Sequence, residues 1–208
     1  MKNFLAIDTS SKYMTVLAYI GGEKFFTYKE DCAMKHSSLL MTEIDALLQK
    51  AGAKLSDFDF FAAVVGAGSF TGIRIGISTV KGFCTAMKKP ALPITSFALA
   101  AYTEKEEKLL VLSDALHESF YACGYQNGEV SISPSYISSD EANAYIKEGY
   151  TPCSLEPLSI PTKRINPAEG LYNAALSLSE NENNFGDLTA LYIRKSQAEL
   201  NLEKGAGV

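Results

Sequence analysis

The sequence predicts an α/β protein built from two lobes, and three observations carry that reading. Its 208 residues exceed a working domain length of roughly 150 but fall short of two such domains. The first hundred residues alternate strand, hairpin and helix signals, as mixed sheets flanked by helices require. The pattern then restarts, because an apolar strand followed by a hairpin opens each half of the chain.

Taken in order, Phe4–Ile7 is a short apolar strand, and Asp8-Thr9-Ser10-Ser11-Lys12 is a tight polar turn. Met14–Ile20 and Lys24–Lys29 are strands joined by the hairpin dipeptide Gly21-Gly22. From His36 to Ala51, Leu39, Leu40, Ile44, Leu47 and Leu48 gather on one helical face, and Gly52 ends the helix. Phe58–Val65 is a continuous apolar run that suits burial on both faces of a sheet. The next stretch, Gly66-Ala67-Gly68-Ser69-Phe70-Thr71-Gly72-Ile73-Arg74-Ile75-Gly76, turns strand into helix, with Ser69 or Thr71 as N-cap. That helix runs to about Met87, where Lys88-Lys89-Pro90 closes it. Gly72 and Gly76 lie one turn apart, and each costs about 1 kcal/mol of helix propensity relative to alanine. The close approach of another backbone is the expected compensation.

Ala91–Ile94 is extended and leads to a helix capped by Ser96. The lobe boundary falls near Tyr102, ahead of the charged run 103–108, which divides the chain into 1–102 and 103–208. The second half begins with a buried strand, Leu109–Leu112, and a hairpin of Ser119–Tyr125 and Val130–Ser133 around Asn127-Gly128. Ser138-Ser139-Asp140-Glu141 is a capping box for a helix that Gly149 ends. Thr151 to Pro161, with three prolines, reads as loop. Pro167 opens a helix to Leu178, Leu188–Ile193 is a last strand, and the tail after Leu200 is loose.

Composition narrows the function. Nineteen Lys and Arg against 24 Asp and Glu give a net charge of −5, which argues against a whole-surface grip on a polyanion. Cys32, Cys84, Cys123 and Cys153 form no CxxC pair, and with only His36 and His117 there is no zinc spacing. Asp8 interrupts the opening apolar run, and no uncharged apolar run approaches the roughly 18 residues of a membrane span, so the reading is cytoplasmic. No nucleophile stands with a base, and no residues are assigned as catalytic or metal-binding. Gly66-Ala67-Gly68 opens like a dinucleotide fingerprint, but the third glycine falls one residue late, at Gly72. The glycines either present amides to an anion or allow a tight turn and close packing. Asp8-Thr9-Ser10 either suits magnesium and phosphate or satisfies its own backbone in an Asx-type turn.

Three segments, Leu5-Ala6-Ile7-Asp8-Thr9-Ser10, His36-Ser37-Ser38-Leu39-Leu40 and the GxGSFTGxRxG string from Gly66 to Gly76, resemble the bacterial TsaB (YeaZ) family across roughly residues 4 to 97. The second half is similar mainly through Ser113-Asp114-Ala115, Phe120-Tyr121 and Tyr192-Ile193-Arg194. Ala67 stands where the family usually has proline, and Leu116 and Ser119 depart from its pattern after Asp114. The resemblance implies the two-lobed actin and sugar-kinase fold, with ribonuclease H-like lobes of mixed sheets flanked by helices, the C-terminal lobe being smaller and degenerate. It implies a non-catalytic scaffold that supports the related transferase TsaD, together with the ATPase TsaE. Those proteins form N6-threonylcarbamoyladenosine at position 37 of tRNAs that read ANN codons. It further implies no cofactor in the isolated chain, with ATP and a metal on the partner subunits, a homodimer when alone, and tRNA reached only through the complex. The implied partner interface is His36, Leu40, Ile44, Leu47, Thr71, Gly72, Ile75, Gly76 and Thr79, and Asp8, Thr9, Ser10, Gly66 and Gly68 are a vestigial phosphate loop. The alternatives are a stand-alone ATP-dependent small-molecule kinase of the same superfamily, a peptidase, and a homodimeric scaffold with another client.

Overall fold

The structure is a computed structural model that describes residues 2–194. The first sheet contains β1 (Phe4–Asp8), β2 (Met14–Ile20), β3 (Glu23–Lys29), β4 (Phe60–Gly66) and β5 (Ala91–Thr95) in the order β3-β2-β1-β4-β5. Strands β1, β2 and β3 pair antiparallel, whereas β4 and β5 continue parallel to β1. The second sheet contains β6 (Lys108–Asp114), β7 (Ser119–Gln126), β8 (Glu129–Ser138), β9 (Thr151–Ser154) and β10 (Lys163–Arg164). Its order, β8-β7-β6-β9-β10, repeats the first sheet's 3-2-1-4-5 arrangement around β6. The two halves are thus copies of one mixed-sheet topology, as the restarting pattern predicts.

Helices α1 (His36–Ala51) and α2 (Phe70–Met87) cover one face of the first sheet. Leu5 and Ile7 point to that face and pack with Leu40, Ile44, Ile73 and Val80. Phe4 and Ala6, on the alternate pleat, point to the other face and pack with Leu171, Ala174 and Ala175 of the helix Pro167–Leu178. Every residue of β1 and β4 is therefore buried, which is why β4 reads as one apolar run. Between the two sheets in sequence lies α3 (Ser96–Ala101), the second half adds α4 (Ser139–Lys147), and Pro167–Leu178 is α5. The last part of the chain returns to the first sheet: α5 packs on β1 and β2, Phe185 meets Phe60 edge to face, and Leu188 enters the first core. Chain order and packing thus part company after residue 166.

Three local expectations need correction. Thr95, not Ser96, caps α3, its hydroxyl accepting the Ala98 N–H at 3.2 Å. Thr151–Ser154 is a strand inside the stretch read as loop, pairing parallel with β6. Pro152 is tolerated because β10 pairs only with Cys153 and Ser154, leaving Pro152 at the end of that ladder. Leu188–Ile193 is not a strand but an irregular segment, fixed where Leu191 N–H donates to Val65 O at 2.7 Å. The tail after Leu200 lies outside the described residues. Among the described residues no helix is long and apolar enough to cross a membrane.

Candidate functional site

The turn from β4 into α2 is built against the turn between β1 and β2. Ser69 is the N-cap of α2, its hydroxyl accepting the Gly72 N–H at 3.3 Å, so of the two candidate caps the structure uses Ser69. Ser69 N–H donates to Ser10 O at 2.6 Å, and Thr9 Oγ–H donates to Gly72 O at 2.7 Å. A Cβ on Gly68 would collide with Ser10 O, and one on Gly72 with Thr9 O. At Gly76 it would lie 2.6 Å from Thr9 Oγ1, and at Gly66 2.5 Å from Leu191 O. The close approach expected from these glycines is thus made inside the chain, chiefly by Thr9 and Ser10. Gly82 stands apart from them, because a Cβ added there would meet nothing within 4 Å.

Asp8 completes the turn as an Asx-type cap. Its Oδ1 accepts both the Ser10 N–H at 2.8 Å and the Ser10 Oγ–H at 2.7 Å. Burial pushes the Asp8 carboxyl above the usual carboxylate range, against the lowering effect of the Ser10 bonds. The structure therefore joins Asp8, Thr9, Ser10, Gly66 and Gly68 into one unit with the start of α2. The Ser10 and Ser69 amides, which a phosphate loop would present outward, are bonded within it.

Between the lobes lies a cleft of about 390 Å³, lined by Ser10, Lys12 and Phe70 on one side and by Asp114, Leu116 and Glu156 on the other. Glu156 is buried; it accepts the Asp114 N–H at 3.2 Å. Its carboxyl is raised by burial, with the Asp114 bond and Lys12 acting against that rise. At the rim, Leu116, His117 and Glu118 all have left-handed backbone, with φ of 65°, 54° and 56°. Ser139 N–H and Oγ–H hold that turn by donating to Glu118 O at 3.2 and 2.8 Å. Sequence reading missed Glu156, since a lone glutamate in a proline-rich stretch gives no signal and its partner lies 42 residues earlier.

A second concavity, of about 470 Å³, runs between α1 and α2. Of the residues expected at a partner interface, Thr71, Ile75 and Thr79 line it, and the buried Leu40 forms part of its wall. His36, Ile44, Leu47, Gly72 and Gly76 do not line it and are buried within the chain. The apolar stripe of α1 faces the chain's own sheet, with Ile44 0% exposed, and His36 Nε2 lies 3.1 Å from Tyr13 O. Ser37, Met41, Arg74 and Ser78 are the lining residues that the stripe could not reveal. Met41, an apolar residue lying off the stripe and 47% exposed, was the one available signal. Arg74 Nε donates to Tyr192 OH at 2.8 Å, and Tyr192 stacks on Phe70 with centroids 4.4 Å apart.

A family model described as TsaD, tRNA N6-adenosine threonylcarbamoyltransferase, matches residues 24–150, more than half of the chain. The chain belongs to this family. Within the wider set of TsaD-family relatives, it is 32% identical over 122 residues to the Haemophilus influenzae tRNA threonylcarbamoyladenosine biosynthesis protein TsaB, covering 56% of this chain and 51% of that protein. It is 27% identical over 132 residues to TsaB of Escherichia coli K12, covering 62% and 57% respectively. The matches thus span about half the length of these curated relatives. The solved structure of YeaZ from Pseudomonas aeruginosa superposes with a TM-score of 0.74 at 25% identity, covering 92% of this chain and all of that one. The fold that the TsaB resemblance implies is therefore present over nearly the whole length.

Proposed function

We propose that this chain is a non-catalytic docking subunit in the formation of threonylcarbamoyladenosine on tRNA, seating a TsaD-like transferase on the groove between α1 and α2. The observation that carries the reading is the groove itself. Its exposed positions are small or flexible (Ser37, Met41, Thr71, Ser78), and the helices beneath them are fully supported by their own sheet. Small side chains let a partner's helices approach closely, in a ridge-into-groove packing. The TsaB names of the relatives support the pathway, and membership of the TsaD family makes the proposed partner a paralogue. In the same reading a TsaE-like ATPase joins the complex, ATP and a metal reside on the partner subunits, and tRNA is engaged through the assembly. In isolation the same groove pairs two copies of the chain.

The test is co-expression with the TsaD-like protein of the same host, followed by tagged co-purification. Wild type retains the partner, whereas Ser78→Trp and Met41→Lys, which fill or charge an exposed wall without touching the core, lose it. Depletion of the chain lowers threonylcarbamoyladenosine in total tRNA, measured by mass spectrometry of nucleosides. Retention of the partner by both variants removes the groove from the reading. Saturable ATP binding with phosphate transfer to a small molecule by the isolated chain favours the kinase alternative instead.

A further inference from the structure

The chain has three arginines against sixteen lysines, and two of the three lie beside the interlobe cleft, each against a tyrosine. The third, Arg164, is engaged by a backbone carbonyl, its Nη2 donating to Leu155 O at 2.9 Å. Against the first lobe, Tyr192 stacks on Phe70, and the Arg74 guanidinium lies 5.6 Å from the Tyr192 ring centroid. On the second lobe, Tyr121 meets Tyr136 edge to face at 6.2 Å, and Arg194 lies over Tyr136 at 5.1 Å. The inner rings, Phe70 and Tyr121, both line the cleft, as does Lys12. Tyr192 and Arg194 are two residues apart on one segment, so the two sets of rings and arginines form one rim across the lobes.

The outer rings stay open to solvent, Tyr192 at 39% and Tyr136 at 40% exposure. Arginine–ring contacts this exposed add little to stability, so the fold by itself does not call for them. Open rings beside fixed guanidinium groups suit a ligand that has flat faces and negative charge together. Unpaired nucleic acid has both, since each base offers a face to stack and each phosphate an anion for the arginine fork. An acidic peptide has the charge without the faces, and a duplex keeps its base faces within its own stack. The acidic side chains Asp114 and Glu156 belong to the second-lobe wall of the cleft, where Glu156 is buried, so the charges that touch the outer rings are positive. A net charge of −5 opposes a whole-surface grip on a polyanion, but two arginines on one rim suffice for a short strand.

We propose that this rim binds a short unpaired stretch of RNA, its bases stacking on Tyr192 and Tyr136 and its phosphates meeting Arg74 and Arg194. The choice of RNA over DNA rests on the reading of the chain as part of a tRNA-modifying assembly, whereas the surface itself follows from the rings and arginines. The chain then adds its own contact to the assembly's hold on tRNA, besides seating its partner.

The experiment titrates the full chain into a fluorescein-labelled, unstructured RNA of about ten nucleotides and follows anisotropy, with each variant's fold checked by thermal unfolding. Saturable binding is expected, weakening about sevenfold between 50 and 200 mM salt, as two phosphate contacts on a single strand require. Tyr136→Ala weakens it at least fivefold. Arg194→Gln weakens it and lowers the slope of log affinity against log salt by about 0.7. Lys50→Gln, which removes a positive charge from the last turn of α1, leaves it within twofold. Neither Tyr136 nor Arg194 lines the groove between α1 and α2, so both variants keep the TsaD-like partner in co-purification, and loss of RNA with the partner retained separates this surface from the docking reading. Arg74 is left unchanged because it lines that groove as well. Absence of saturable binding at 50 mM salt overturns the proposal. So does binding that survives Tyr136→Ala, that Lys50→Gln weakens as much as Arg194→Gln does, or that a duplex of the same length matches. Displacement by poly-glutamate as readily as by unlabelled RNA overturns it in favour of an acidic protein partner, and equal affinity for DNA of the same sequence overturns the assignment to RNA.

Discussion

Gly76 and Gly82 sit on one helix, yet substitution by alanine should move stability in opposite directions. In each case alanine recovers about 1 kcal/mol of helix propensity. At Gly82 nothing lies within 4 Å of the added carbon, so that gain stands alone. At Gly76 the carbon lies 2.6 Å from Thr9 Oγ1, which is itself fixed by a 2.7 Å bond to Gly72 O. Displacing Thr9 forfeits a hydrogen bond of about 1 kcal/mol and adds crowding of about 1–3 kcal/mol. The net change is a loss of about 1–3 kcal/mol. For a chain of this size 1 kcal/mol shifts the melting temperature by about 2–4 °C. Gly82→Ala should therefore raise it by about 2–4 °C, and Gly76→Ala should lower it by about 2–12 °C in the same thermal scan. Adding Thr9→Ala to Gly76→Ala should relieve the crowding, so that the double variant is more stable than the two single losses sum to. If Gly76→Ala stabilises as much as Gly82→Ala, Thr9 is not what requires a glycine at 76, and the account of the β1–β2 turn falls with it.

Ile44→Ala should cost about 2–5 kcal/mol in denaturant unfolding, because the side chain is wholly buried against the first sheet; a loss under about 1 kcal/mol would place it on a free surface after all. Burial pushes the Cys153 thiol up to about 12, so at pH 8 a thiol reagent should label the partly buried Cys84 in the native chain, slowly because burial raises its thiol too, and reach Cys153 only after unfolding. Rapid native labelling at Cys153 in peptide mapping contradicts that packing. Ser138 N–H, and then its Oγ–H, hold the Glu141 carboxyl below its ordinary value, so this cap's contribution is complete above the usual glutamate pKa and fades as pH falls through the lower folded value. An NMR titration of Glu141 reads that midpoint directly, and Glu141→Gln should remove the pH dependence it contributes.

Much of the chain was legible because the deciding signals are local. Helix α1 begins at His36 and ends at Ala51 as its spacing predicts, since its apolar residues recur every three to four positions and Gly52 takes the left-handed conformation that stops it. The Ser138–Glu141 capping box and the Asn127-Gly128 hairpin likewise need only a few neighbouring residues. The glycine string showed that something approaches α2 closely, though not what. Thr9 answers that question from 63 residues away, and only pairing of β1 with β4 brings the two turns together. The same limit hid Glu156, whose carboxyl is held by Ser113 and Asp114 at the end of β6, some 42 residues earlier. It also concealed the return of α5 to the first sheet, because an amphipathic helix announces an apolar face without naming the sheet it will cover.

Residue order alone carried the succession of elements, most of their caps and turns, and the repeated strand-hairpin opening of each half, all written in spacings of four or fewer or in short runs. Tertiary structure decided which face of each helix is spent on the core. Burying the apolar stripe of α1 against β2 and β3, and that of α2 against β4, takes Ile44 and Leu47 into the core and leaves Met41, Thr71, Arg74 and Ser78 to line the groove. The physical reason is that hydrophobic burial is non-directional: an apolar stripe must leave water wherever it can, and only the assembled sheet determines what it leaves water against.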